Sequence, residues 1–149
     1  MKVSLTNLSR TFVELAPVEA LTVHSQTHLN NKTHTMESAS IIAQLIVSVS
    51  IIIVWVFRYD NIVSEFKQYD LSDLVRNMVG ASKITLATIL ALGVCYNVPV
   101  VAASLLMAFL MICAQAFHIK VKNPLKKYVP SAFLLLLSLF IAAYNYGLI

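Results

Sequence analysis

The sequence predicts an all-α fold, an integral membrane four-helix bundle. Three observations predict it. The chain is 58% hydrophobic and only 12% charged, where a soluble domain is about one-quarter charged. Its mean hydropathy is +0.77. Its apolar residues are gathered into runs long enough to cross a bilayer, about 20 residues each. One compact membrane domain over residues 39–146 is the expected organisation, with spans near 39–57, 72–94, 99–117 and 130–146.

Residues 1–38 read as a polar, flexible extension, with the domain proper starting near Met36. This stretch holds no apolar run long enough for a signal-peptide core. A short helix is predicted from Phe12 to Leu21, bent near Pro17, before a Ser-, Thr- and Asn-rich linker. His24, His28 and His34 are loosely spaced, lack a close third ligand, and read as a solvated tail rather than a metal site. Asn7 and Asn31 begin glycosylation sequons, which matter only in a eukaryotic secretory pathway.

The first span carries no charge and ends on Trp55, with Arg58 and Tyr59 following. An aromatic beside a cation is the mark of a membrane–water interface. Residues 58–78 then alternate charges with Ile62, Val63, Phe66 and Tyr69, which suits a short helix lying in the interface. Asp70 is the expected N-cap of the next helix, with Asp73 in its first turn.

The second span is interrupted by Lys83. Two readings stand. Its long stem reaches back to the near interface, or it is a buried cation that pairs with Asp70 or Asp73 or faces a ligand pocket. Tyr96, Asn97, Val98 and Pro99 form the predicted turn into the third span, Pro99 suiting a first helical position. That span holds Ala102, Ala103, Ala108, Ala114 and Ala116, and small residues allow close helix packing in lipid. Gln115 is read as an interhelical hydrogen bonder.

Residues 118–129 carry His118, Lys120, Lys122, Lys126 and Lys127 without an acid. Asn123 and Pro124 read as N-cap and N1 of a new helix. Tyr144 and Tyr146 close the last span and, with Tyr96, mark the far interface; Trp55 and Tyr59 are the anchors of the near one. Arg58, Lys67, Arg76 and the four lysines all fall on one side of the bilayer, so the positive-inside rule puts loops 58–78 and 118–129 in the cytoplasm and both termini outside. An inner-membrane, multi-pass protein is the expectation.

The net charge of +4 is juxtamembrane charge, suited to anionic lipids at the basic loops; no nucleic-acid partner is expected. Cys95 ends the second apolar run and Cys113 lies roughly 20 Å along the next at about 1.5 Å per residue. A bridge needs Cα atoms within about 7 Å, so none is expected. There is no Cys-x-x-Cys, phosphate-binding loop or His-Glu-x-x-His, and no transmembrane His pair for haem. No catalytic residue and no metal site is assigned. The candidate functional cluster is Arg58, Lys83, His118, Lys120 and Asn123, at the basic end. Such a mouth could hold an anionic lipid or a quinone head group, with Glu65, Asp70 and Asp73 as counter-charges.

Gly80, Ala81, Ser82 and Lys83 opening the second span, the small-residue third span, and HIKVKNPLKK before the fourth resemble the bacterial DoxX-like membrane proteins over about residues 36–146. Val54 and Trp55 followed by Arg58 are similar to one subgroup's first-span ending. The resemblance implies a four-helix membrane bundle. Some members of that family belong to a thiosulfate:quinone oxidoreductase, others associate with oxidative-stress proteins, and animal relatives assist receptor assembly. The chain departs from several of them in lacking a Gly-x-x-Lys pair at the end of the first span. The resemblance leaves two function classes. One is an accessory subunit of a quinone-linked or redox membrane system, with quinone as the implied cofactor and a membrane or redox protein as partner. The other is a non-catalytic structural or assembly module. A homo-oligomer is compatible with both. Transport would require one, because no pair of broken helices is visible.

Overall fold

The computed structural model describes residues 34–149. The predicted helix at 12–21, His24, His28 and both sequons lie outside them. Contacts divide the chain into Met1–Glu37 and Ser38–Ile149, and the helical bundle belongs to the second unit. The helices are α1 (His34–Phe57), α2 (Tyr59–Gln68), α3 (Asp73–Leu92), α4 (Val100–Lys120) and α5 (Tyr128–Tyr146), with one 3-10 turn (Leu125–Lys127) leading into α5. No strand occurs among the described residues. Among the described residues four segments are long and apolar enough to cross a membrane, and α2 is the short, charged exception. The architecture is the expected all-α bundle.

The helix ends differ from the sequence reading in an instructive way. Ser72, not Asp70, caps α3, its hydroxyl accepting from the Val75 N–H at 3.4 Å. Asp70 instead adopts a left-handed φ of 57°. It closes α2 with the paired bonds Leu71 N–H to Phe66 C=O (3.0 Å) and Asp70 N–H to Lys67 C=O (3.1 Å). This is the Schellman arrangement that satisfies a helix's last carbonyls. α4 ends the same way. Lys122 has a φ of 52°, and the N–H groups of Lys122 and Asn123 donate to the carbonyls of Ile119 (3.0 Å) and His118 (3.1 Å). Asn123 therefore terminates α4 rather than starting α5. His118 and Lys120 belong to the last turn of α4, where cations complement the helix dipole.

α4 and α5 pack along most of their length, α3 lies on α4, and α2 rests on α3. α1 joins α3 through the Ser48 hydroxyl, 2.8 Å from the Ala87 carbonyl, and joins α5 through Ser40 and Asn145 at 3.1 Å. Val47, Leu90, Met107, Met111 and Ile141 fill the centre. Around them Ala43, Ala87, Ala103, Ser104, Ala108, Ser138 and Ala142 are buried where helices approach closely. Of the α4 alanines, Ala102 and Ala116 face outward. Gln115 donates to the Tyr128 carbonyl (3.0 Å) and to the Ser131 hydroxyl (2.9 Å), tying α4 to α5. The outer faces carry exposed Ile42, Val49, Ile53, Leu106, Phe109 and Leu136, the surface a bilayer requires.

Candidate functional site

A cavity of about 430 Å³ lies at the end of the bundle nearest α2. Its walls are the last turns of α1, the inner face of α2, the first half of α3, the last half of α4 and the start of α5. Apolar side chains dominate: Ile51, Val54, Trp55, Ile62, Phe66, Val79, Leu110, Met111, Phe117 and Leu134. Gly80 makes one wall possible. A methyl on Gly80 would fall on the Trp55 indole ring, so the absence of a Cβ lets Trp55 lie directly against α3. Trp55 is thus only 9% exposed. It is a wall of the cavity, not the outward-facing anchor that its place beside Arg58 suggests. Tyr59, Tyr96 and Tyr146 are exposed, and Tyr144 is half-buried.

Set into these walls are a few polar groups. Lys83 is half-buried and lines the cavity. It makes no ion pair with Asp70 or Asp73. Asp73 is taken by Arg76 at 2.6 Å, whose guanidinium also lies over the Tyr59 ring. Lys83 sits about 15 Å along α3 at about 1.5 Å per residue, too far from Asp73 for contact. Arg58 also lines the cavity, and its guanidinium lies 3.2 Å from the Asn61 side-chain amide. At the mouth Lys127 and Glu65 pair at 3.5 Å, with Lys126 beside them.

His118 lines the cavity and is 8% exposed. Its Nδ1 lies 2.9 Å from the Tyr69 hydroxyl and 2.9 Å from Asn123 Nδ2. Asn123 is oriented in turn by Gln68, whose Nε2 donates to Asn123 Oδ1 at 3.3 Å. The Tyr128 hydroxyl donates to the His118 carbonyl at 2.9 Å. Tyr69 stacks on Phe117, ring centroids 5.6 Å apart. Burial, helped by the nearby Glu65 charge, pushes the Tyr69 phenol up to about 12, so it is a neutral hydroxyl at any physiological pH.

Of the five clustered residues expected from sequence, three line one cavity: Arg58, Lys83 and His118. Asn123 stands behind His118 and fixes it. Lys120 is apart, exposed and stacked over its neighbour Phe117 at 5.9 Å. Sequence reasoning missed Tyr69 as a member. Its signal is the spacing of Ile62, Phe66 and Tyr69, which puts all three on the inner side of α2. Cys113 lines the cavity and Cys95 is exposed; neither is bridged. Among the described residues no group of His, Cys, Asp or Glu could hold a metal ion. The arrangement can receive a lipid-soluble molecule, with aromatic and aliphatic walls for its body and cationic or N–H donors for its head.

No curated protein and no solved structure matches the chain. The sequence model of the DoxX-like family matches residues 38–141, which takes in every wall of the cavity. With that match and four helices able to cross a bilayer, the chain is a multi-pass membrane protein of the DoxX-like family.

Proposed function

We propose that this protein is a ligand-binding accessory subunit of a quinone-linked membrane system, holding the head of a lipid-soluble, quinone-class molecule in the cavity between its helices. The observation that carries the reading is Lys83. It is an ionisable side chain within a transmembrane helix, without an acidic partner among the described residues, facing an apolar cavity, and ionisable groups at such depth mark ligand pathways. The donor set fits a quinone. Lys83 and His118 can donate to its carbonyl oxygens, and Trp55, Phe66 and Phe117 suit its ring and tail. A bound quinone would supply two-electron carrier chemistry. The chain's own residues bind, orient and exclude water, and the protein is not an enzyme on its own. The basic loops face the cytoplasm of a bacterial inner membrane in this reading, with Lys120, Lys122 and Lys126 against anionic lipid.

The test uses the protein's single tryptophan, which is a cavity wall. Protein in nanodiscs is titrated with decyl-benzoquinone while Trp55 emission is followed. Saturable quenching, weakened by Lys83→Met with expression intact, supports the reading. Quenching that never saturates, together with a protein partner retained regardless of Lys83 and His118 substitution, would instead make the chain an assembly module.

A further inference from the structure

We infer that the cavity selects its ligand by head group. It takes lipophilic molecules whose head accepts hydrogen bonds and bears negative charge or partial charge (a quinone carbonyl or a carboxylate), because His118 is locked as a donor toward it. The inference rests on the cavity being a binding site, as proposed above.

The lock is built from the chain outward. The turn that ends α4 places Asn123 so that its backbone N–H meets the His118 carbonyl at 3.1 Å, while its side chain folds back to the ring of the same residue. Gln68 occupies Asn123 Oδ1. The group facing the imidazole is therefore the amide nitrogen, which can only donate. Asn123 Nδ2 and the Tyr69 hydroxyl both converge on Nδ1 at 2.9 Å, so Nδ1 must be the acceptor. A neutral imidazole with an accepting Nδ1 carries its proton on Nε2. Nε2 has no partner among the described residues, though His118 is buried and on the cavity wall. It is an N–H donor waiting for an acceptor.

The charges around it point the same way. Lys83 lines the same cavity as His118 and has no acidic partner among the described residues. The one carboxylate lining the cavity, Glu65, is engaged by Lys127 at the mouth. Arg58 and Lys126 add positive charge there. An ammonium head would meet cations and a donor, and the one carboxylate in the lining is already paired with Lys127. A carbonyl or carboxylate oxygen would meet two donors. Tyr69 and Asn123 act through His118 as positioning residues.

Matched decyl probes in neutral-lipid nanodiscs test this, read by Trp55 emission: decyl-benzoquinone, decanoate and decylamine. Saturable binding of the quinone, of decanoate, or of both is expected, the pattern telling carbonyl from anionic-lipid ligands. Decylamine should show none at tenfold higher concentration. Decylamine binding as tightly as decanoate overturns the selection and leaves the site standing. Silence from all three probes overturns the site as well. Nitrogen-15 spectra of labelled histidine supply a second readout that a merely structural role would not move. They should show His118 with a bare Nδ1 and a protonated Nε2. Asn123→Asp, which offers Nδ1 an acceptor, should move the proton to Nδ1 and weaken acceptor-headed ligands by about tenfold or more, the worth of one hydrogen bond to a charged or polarised group. Should that variant misfold, His118→Met must give the same loss. A wild-type spectrum with Nδ1 protonated sinks the inference outright.

Discussion

Trp55 lies against Gly80 with no room for a methyl group between them. One wall of the cavity depends on that contact, and so does the seating of α1 on α3. Gly80→Ala adds helix propensity worth about 1 kcal/mol but forces the indole aside, and overpacking costs about 1–3 kcal/mol. A net destabilisation of up to about 2 kcal/mol is expected, with a shifted Trp55 emission maximum. Thermal unfolding in detergent, followed by that emission, checks both.

Ser48 makes the other α1–α3 link. Its hydroxyl is 2.8 Å from both the Gln44 and the Ala87 carbonyls. Hydrogen bonds between membrane helices are worth about 0.6 kcal/mol on average. Ser48→Ala should cost about 0.5–1 kcal/mol in a denaturant titration, and an unchanged midpoint would show that packing alone holds the pair.

The Tyr69 phenol gives a pH signature. Its folded pKa of about 12 exceeds the ordinary value of about 10. The neutral form is thus favoured in the folded state. Its contribution is fully present below pH 10 and is lost as pH rises from 10 through 12. Subtracting the stability curve of Tyr69→Phe from that of the unmodified protein should give a difference that falls over this window and is flat from pH 6 to 9.

Lys122 is a lysine in the left-handed region that glycine prefers, at the turn ending α4. Lys122→Gly should raise stability by about 0.5–1 kcal/mol, read as a higher denaturation midpoint.

By contrast, Glu65→Gln breaks a partly exposed pair and should change stability by less than about 0.5 kcal/mol, while tightening decanoate binding by removing the cavity's one negative charge. A denaturant titration and a decanoate titration of the same variant separate stability from ligand selection.

The four spans are legible because each apolar run is long, nearly uncharged and ended by turn residues. Lys83 is legible for the same reason, as an ion where none belongs. Helix ends are less so. Asn123 followed by Pro124 carries a sound local signal for a helix start, yet the backbone of α4 needed two acceptor-satisfying N–H groups at that point, and this requirement won. Asp70 lost its capping role to Ser72 in the same way. The burial of Trp55 needed knowledge that Gly80 would face it across two helices, which no local pattern contains. Tyr69 is hidden for a related reason. α2 is amphipathic on its own, but which residues its inner face would meet depends on where α4 stops.

α3 is the least apolar of the four spans and holds Lys83 in mid-helix. Alone it would be a poor entrant to a bilayer. α1, the most apolar, presents to it a hydroxyl at Ser48 and a flat ring at Trp55. The consequence concerns biogenesis. α1 must already be lodged when α3 leaves the translocation channel, so α3 partitions onto a waiting protein surface rather than into bare lipid. A chain with α1 replaced by an unrelated leucine span would then fail at the insertion of α3, before any ligand or partner could matter.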